Sequence, residues 1–420
     1  MIRRAVARAV RLPALVTIVL VASGASGDDA LRPVPLVARV SDVQPMTGIV
    51  LWTTNPAAAT APIQLEFAYV TYRDVVDARG DHDWTPVERL LADVAGRGHQ
   101  AIIRWHDTYV GRPSGIPDSI RSLPGYRETT GRSEGKKTAF PDWSHPRLGP
   151  FVLDFFTRFA ARFDADPRLA FVQVGFGLWS EYHIYDGPMR LGETFPSHAF
   201  QAEFARHLAT RLVKTPWMIS VDAAGDQAPF ASDATLRGLR FGVFDDSFNH
   251  ARHREENQPN WEIFGRDRWQ TAPAGGEFAF FEPADQAEAL ADDGPHGVPF
   301  AAQAARFHVS FIIGDDQPRF RPPGRIRQAG LACGYRFRVT RFVASDTRSE
   351  VTLTNTGIAP IYHDAYPAVN GSRAEGSLAG LLPGGSRTFT IPAGGVEPVL
   401  TIESDRLVPG QRITYDADLP

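Results

Sequence analysis

Two short stretches carry the residue types that chemistry needs. The first is Gly175-Phe-Gly-Leu-Trp-Ser-Glu-Tyr-His183. It reads as a buried strand that ends in glycines and then presents Trp179, Ser180, Glu181, Tyr182 and His183. A carboxylate set among aromatic rings is partly desolvated. Desolvation raises its pKa and favours the protonated form that a general acid needs at neutral pH. Aromatic faces also suit the apolar face of a sugar ring. The competing reading of Glu181 is an ion pair with a nearby Arg that holds a loop. The second stretch is Ala274-Gly-Gly-Glu-Phe278, in which two glycines ahead of Glu277 permit a close approach of backbone or ligand. Two carboxylates across one mouth are what glycoside hydrolysis requires. One protonates the leaving oxygen, and the other attacks the anomeric carbon or activates water. Glu282, in Phe280-Phe-Glu-Pro283, competes with Glu277 for the second role.

Further residues fall where strands are predicted to end. Arg104, Trp105, His106 and Asp107 close one strand, and Arg104 either orients a carboxylate, grips a sugar hydroxyl or serves a structural ion pair. Tyr69 and Tyr72 close another and could tune the second carboxylate. Asp222, Asp245, Asp246, Asn249 and Asp315 stand at other strand ends, where each alone reads as a cap or loop residue. The expected sugar-contacting set is Arg104, His106, Trp179, Tyr182, His183, Tyr69 and Asp246. His250-Ala-Arg-His253-Arg-Glu255 has an H-x-x-H spacing, which is not the H-E-x-x-H of metalloproteases. It reads as a polar loop, and no metal site is expected. The serine-hydrolase elbow G-x-S-x-G, the P-loop and the dinucleotide fingerprint are absent from the sequence, so no cofactor is expected.

The elements that must position these residues alternate between strand and helix. Strands are predicted at Gly48–Thr54, Ile63–Val70, Gln100–Trp105, Ala170–Phe176, Trp217–Ala223, Leu239–Phe244, Ala272–Phe280 and Phe307–Ile313. Helices are predicted over Asp83–Ala92, with Pro86 in its first turn, over Pro150–Phe163, and from a Ser197 cap to about Val213. A Gly/Pro/Ser-rich stretch from His106 to Pro146 is long enough to be either functional or disordered. Alternation of this kind predicts a mostly parallel α/β sheet, and eight strands fit a (β/α)8 TIM-like barrel. No helix separates the first two strands, which leaves a doubly wound sheet as the alternative. In a parallel barrel the C-terminal strand ends face the active-site mouth, so Glu181 follows strand four and Glu277 lies on strand seven.

After Leu331 the pattern changes to alternating and β-branched runs at Tyr335–Val343, Glu350–Thr354, Ser386–Ile391 and Val399–Ile402, with Gly, Pro, Asn and Ser between them. This predicts a small antiparallel β-sandwich. The resulting division is a leader over 1–27, a barrel over 45–325 and a β-sandwich over 332–420.

The leader reading rests on four Arg and no acid in residues 1–27, an apolar run from Leu12 to Ala22, and the small residues Ala22-Ser-Gly-Ala-Ser-Gly27. These are the three regions of a secretory signal peptide. The apolar run is too short to span a bilayer, which takes roughly 20 residues. The protein is therefore expected outside the cytoplasm, secreted or periplasmic, with no membrane partner after cleavage. Removing the leader takes the formal net charge from −4 to −8. A mildly acidic chain has no electrostatic reason to hold nucleic acid. The 41 Arg against 3 Lys form no basic run, and the single Cys333 excludes an internal disulfide framework, an Fe–S cluster and a Cys-rich zinc site.

The stretches Gly48-Ile-Val-Leu-Trp-Thr, Phe67-Ala-Tyr-Val-Thr-Tyr72, Asp83-Trp84, Gly175–His183, Gly275-Gly-Glu277, Leu331–Tyr335 and Leu353-Thr-Asn-Thr-Gly-Ile-Ala-Pro-Ile-Tyr362 together resemble exported bacterial proteins with a glycoside-hydrolase-like barrel and a C-terminal β-domain of unknown function. The barrel also resembles the retaining glycosidase clan of β-galactosidases and endoglucanases. That resemblance implies Glu181 as acid/base and Glu277 as nucleophile, a carbohydrate substrate, and retention. The clan usually has Asn directly before the acid/base, gripping the sugar 2-hydroxyl, whereas this chain has Ser180. The rival expectation is a carbohydrate-binding barrel that has lost catalysis.

Overall fold

The structure is a computed structural model that describes residues 30–420, apart from the side chains of residues 251–254, 256 and 296. The predicted leader lies outside the described residues. Eight parallel strands close into a barrel. In chain order they are β1 (Gly48–Trp52), β2 (Leu65–Thr71), β3 (Gln100–His106), β4 (Leu169–Gln173), β5 (Trp217–Ser220), β6 (Gly242–Phe248), β7 (Ala274–Phe278) and β8 (Phe311–Ile313). β8 pairs back onto β1, with Ile312 beside Ile49. The doubly wound alternative is thereby excluded, because that sheet would remain open.

Side chains alternate across each strand and build two apolar layers. Val50, Leu65, Phe67, Ile102, Phe171, Met218, Phe244 and Phe311 fill the barrel interior. Phe171 and Phe311 stack across it with ring centroids 5.2 Å apart. The opposite faces of β3, β4 and β5 pack outward on helices. α1 (Thr85–Gly96) buries Val87, Leu91 and Val94 at helical spacing, and the Asp83 carboxylate accepts from the Thr85 N–H at its start. α2 (Leu148–Phe163) buries Phe155, Phe156, Phe159 and Phe163. α3 (His198–Arg211) is capped by the Ser197 hydroxyl, as the sequence predicts. Between β1 and β2 there is only a short 3-10 turn, Pro56–Ala59.

Three elements differ from the sequence expectation. The His250–Glu255 stretch, expected as a polar loop, runs into a helix over Ala251–Phe264. Phe307 ends a helix over Phe300–Phe307, because Phe300, Gln303 and Ala304 recur at helical and not strand spacing. The stretch from His106 to Pro146 is ordered: it folds a hairpin, Thr129–Ser133 against Lys136–Phe140, turning at Glu134 and Gly135, both left-handed.

The second part of the chain forms a six-stranded and a three-stranded sheet around a separate core that includes Phe337, Val351, Leu353, Leu378 and Ile391. The larger sheet also recruits the start of the described chain. Leu36–Ala38 pairs antiparallel with the last strand, Tyr415–Leu419. That last strand runs parallel to Phe337–Val339, the parallel pair in an otherwise antiparallel domain.

This β-domain seals the N-terminal end of the barrel. The buried Arg406 donates to the Leu169 carbonyl at 2.8 Å and to the Thr215 hydroxyl at 3.0 Å, both at the base of strands. His363 packs beneath Phe171. The C-terminal end is left open. Among the described residues, no helix is long and apolar enough to cross a membrane.

Candidate active site

The open end of the barrel holds a cavity of about 820 Å³. Its floor is organised by one buried cation. Arg104, at the end of β3, is fully buried and stacks 4.2 Å from the Phe244 ring. Its Nε donates to Gln173 at 2.7 Å. Its Nη1 donates to the Asp246 carboxylate at 2.5 Å, the Tyr69 hydroxyl at 3.0 Å and Glu181 at 3.3 Å. Burial alone would depress the Arg104 pKa, but the charges of Asp246, Tyr69 and Glu181 outweigh it and raise it.

The loop that carries Glu181 is closed on itself. Trp179, Ser180 and Tyr182 all adopt left-handed backbone, at φ 53°, 62° and 61°. The Leu178 N–H donates to the His183 carbonyl at 2.9 Å. Gly175 makes this turn possible, since a Cβ there would stand 1.9 Å from the Ser180 carbonyl oxygen. The Ser180 hydroxyl donates to the Trp105 carbonyl at 2.7 Å, and the residue is buried. Ser180 therefore holds the loop and faces protein, not the cavity, where the clan's Asn would meet a sugar hydroxyl.

Glu181 and Glu277 both line the cavity. Burial pushes the Glu181 pKa well above the usual carboxylate range, and the neighbouring charge of Asp246 adds to the shift against the opposing pull of Arg104. Burial likewise pushes Glu277 up to about 8, with Asp246 again adding, while Arg104 and a hydrogen bond with Trp52 oppose. Asp245 is raised to about 7 by burial, although it accepts from Asn257 at 2.7 Å and from the Trp261 indole at 3.2 Å. His183 Nδ1 donates to Asp222 at 2.8 Å, which fixes the tautomer and turns Nε2 toward Glu181, 3.8 Å away. Glu181, His183 and Asp222 offer ligand atoms within 4.8 Å of one another, a spacing a cation could use. The His183–Asp222 hydrogen bond accounts for part of that closeness without an ion.

Of the expected sugar-contacting set, Tyr69, Trp179, His183 and Asp246 line the cavity, and Arg104 lies directly behind it. His106 does not line it. Its ring is buried behind Tyr69 and Tyr109, and burial lowers its pKa to about 4. Tyr182 does not line it either, because its left-handed backbone turns the ring into the core against Phe176 and Phe230. Tyr72 packs in the core between Trp105 and Phe155. Glu282 is exposed and starts the helix Pro283–Glu288, so it does not join Glu277 at the mouth. The side chain of His253 in the H-x-x-H stretch lies outside the described side chains.

Several lining residues carry no motif. Trp52 ends β1 and was accessible to the same strand-end rule that selected Tyr69. Tyr109, Glu134, Tyr185, Phe280 and Phe281 come from irregular loops whose course the sequence does not announce. The Tyr185 hydroxyl donates to Glu134 at the tip of the hairpin, and the Tyr185 ring stacks on Trp179 with centroids 6.1 Å apart.

No family model matches the chain, and no curated protein matches it. Solved structures do. The galactosidase domain of alpha-galactosidase-sucrose kinase is 12% identical over 85% of this chain and 56% of its own length, with a TM-score of 0.40. A GH36 alpha-galactosidase from Geobacillus stearothermophilus is 12% identical over 86% of this chain and 57% of its own, with a TM-score of 0.39. A glycoside hydrolase family 30 subfamily 8 xylanase from Clostridium acetobutylicum is 12% identical over 84% of this chain and 98% of its own, with a TM-score of 0.38. The chain thus spans a little over half the length of the two galactosidase structures. These structural neighbours are glycoside hydrolases, and the likeness to them is one of fold.

Proposed function

We propose that this chain is an exported glycoside hydrolase that cleaves a poly- or oligosaccharide at the C-terminal mouth of its barrel. Glu181 is the acid/base and Glu277 the nucleophile, with retention of configuration. The leader over 1–27, the barrel over 45–325 and the β-sandwich over 332–420 belong to this reading. The observation that carries it is the shared cavity: carboxylates from strand four and strand seven line one open pocket with aromatic walls. Burial holds a proton on Glu181, as leaving-group protonation requires. For Glu277 to attack, its proton must leave, and the Arg104 cation and the Trp52 hydrogen bond favour that ionised form.

The test is reducing-sugar release by the purified protein on a broad polysaccharide panel, beside Glu181→Gln and Glu277→Gln. Each substitution should lower turnover by about 10²–10⁴-fold if the residue acts in proton transfer or attack. Activity that survives both would reject this pair. Product anomer analysis decides between retention and inversion, for which carboxyl separations of roughly 5–5.5 Å and 6.5–9.5 Å are expected.

One observation favours a second reading, a carbohydrate-binding barrel without catalysis. Arg104 already pairs with Glu181 at 3.3 Å, and a fixed cation favours the ionised carboxylate over the protonated form that a general acid must carry. Sugar binding without release on any substrate would select it.

A further inference from the structure

Among the described residues, four aromatic side chains are exposed: Tyr185, Phe280, Phe281 and Phe320. Three of them, Tyr185 at 60%, Phe280 at 55% and Phe281 at 59%, line the same cavity as Glu181 and Glu277. A single exposed apolar side chain is ordinary, but exposed rings gathered at one opening mark a binding surface. They stand on two walls. Tyr185 lies beyond β4, while Phe280 and Phe281 follow β7. Around the barrel, β5 and β6 separate those strands on one side and four strands separate them on the other. The two groups therefore sit on nearly opposite sides of the mouth.

Each group is held by its own surroundings. The Tyr185 ring runs nearly parallel to Trp179, at 21° with centroids 6.1 Å apart, and meets His183 edge-to-face at 5.3 Å. Its hydroxyl donates to Glu134, whose own N–H donates to Asp186 at 2.6 Å, so the tip of the hairpin braces the ring. Trp179 and Tyr185 together form a shelf. On the other wall the Gln286 amide donates to the Phe278 and Ala279 carbonyls, both at 2.9 Å, which fixes the exit of β7. Phe281 packs edge-to-face on His250 at 5.3 Å. Rings that are braced and still exposed lose little side-chain entropy when a ligand covers them.

We infer that the mouth binds the interior of a chain of all-equatorial, β-linked pyranoses, with sugar units on both walls: the Trp179–Tyr185 shelf and the Phe280–Phe281 pair. The inference rests on the carbohydrate-site reading above and names its substrate class; where that site hydrolyses, cleavage is internal. Trp179 and Tyr185 flank Glu181 in the sequence, and Phe280 and Phe281 follow Glu277. Units stacked on the two walls thus straddle the carboxyl pair. Aromatic faces accept the C–H-rich face of a sugar ring. A pyranose whose hydroxyls are all equatorial offers such a face on both sides and suits two walls, whereas an axial hydroxyl makes one face polar. Equatorial links also keep the chain extended across the mouth, where an axial link would bend it. The two Phe rings carry no hydrogen-bonding group, so the contact on that wall is apolar. The cavity of about 820 Å³ lies near the upper end of the range for sites that enclose one small molecule.

The test is calorimetric titration of the purified protein with cellohexaose, xylohexaose, cellobiose and the axially linked maltohexaose, using Glu181→Gln protein for any ligand that the wild type consumes. At least one β-linked hexamer is expected to bind at least about tenfold more tightly than cellobiose or maltohexaose. Tyr185→Ala and the double variant Phe280→Ala/Phe281→Ala should each weaken that binding by about five- to tenfold. Tyr185→Phe keeps the ring and should retain most of the affinity, which separates stacking from the brace on Glu134. Phe320→Ala, at an exposed ring that does not line the cavity, should change nothing. All these side chains are exposed, so the variants should fold, and thermal unfolding checks that they do. The inference is overturned by cellobiose or maltohexaose binding as tightly as both β-linked hexamers, by wild-type affinity in either alanine variant, or by absence of hexamer binding. Hydrolysis of the same hexamers is followed by chromatography. Platform-dependent binding without products leaves this inference standing and rejects the hydrolase reading. Release of single sugars from a chain end alone does the reverse.

Discussion

His183 Nδ1 lies 2.8 Å from Asp222 Oδ2, and this single hydrogen bond aims the other ring nitrogen at Glu181. The charge of Asp222 also helps to hold the Glu181 proton. Asp222→Ala should therefore lower the Glu181 pKa. If Glu181 acts as the acid, the alkaline limb of the pH–rate profile for kcat/KM moves to lower pH. A limb that stays in place would detach Glu181 from it.

Arg104 is the cation that lets Glu181 and Asp246 share the barrel floor. Arg104→Met would leave both carboxylates facing each other without a counter-charge. The expected loss is about 3–5 kcal/mol, read from urea unfolding. Adding Asp246→Asn should recover part of it, because one of the stranded charges is then gone. A double variant no more stable than the single one would show that the guanidinium matters by packing on Phe244 and not by charge.

Glu277 should leave a signature in stability against pH. Burial raises its pKa from an ordinary 4.5 to about 8, so across that window the folded state keeps a proton that the unfolded chain has released. The unfolded state binds fewer protons there, and stability falls as pH rises through the window, levelling off above it. The thermal midpoint should drop between those limits in the wild type and drop less in Glu277→Gln. An identical slope in both proteins would place the titration elsewhere.

Gly175 and Gly96 make a controlled pair. A Cβ at Gly175 would stand 1.9 Å from the Ser180 carbonyl oxygen, while a Cβ at Gly96 meets nothing within 4 Å. Gly175→Ala should cost about 1–3 kcal/mol by overpacking and should displace the loop that holds Glu181. Gly96→Ala, at the end of α1, should stabilise by about 0.4–1 kcal/mol through the unfolded chain. Chemical denaturation of the two variants checks both signs.

The barrel was legible because its strands are short apolar runs bounded by turns and helices. All eight appear, with shifts confined mainly to their ends. The eighth was read too long at Phe307, since a short apolar run fits a helix end as well as a strand. In the site, Glu181, Glu277, Tyr69, Trp179, His183 and Asp246 could be placed at the mouth because strand ends face it in any parallel barrel. His106 and Tyr182 were misplaced for a common reason. Strand position fixes which end of the barrel a residue occupies, but local backbone fixes where its ring points. Tyr182 follows two left-handed residues that no periodicity predicts.

The sequence by itself determined the alternation of eight strands with helices, the β-domain that follows and the strand ends at which the acids gather, because period and strand count are local and additive. Closure of β8 on β1 came from the tertiary structure. Tertiary structure alone decided which acids share one cavity, that Arg104 ties strand four to strand six, that Ser180 turns inward, and that Leu36–Ala38 joins the far end of the chain in one sheet. Each of these is a contact between residues distant in sequence. It is set by closure of the barrel and by burial of charge, and neither has a signature in the spacing of residues along the chain.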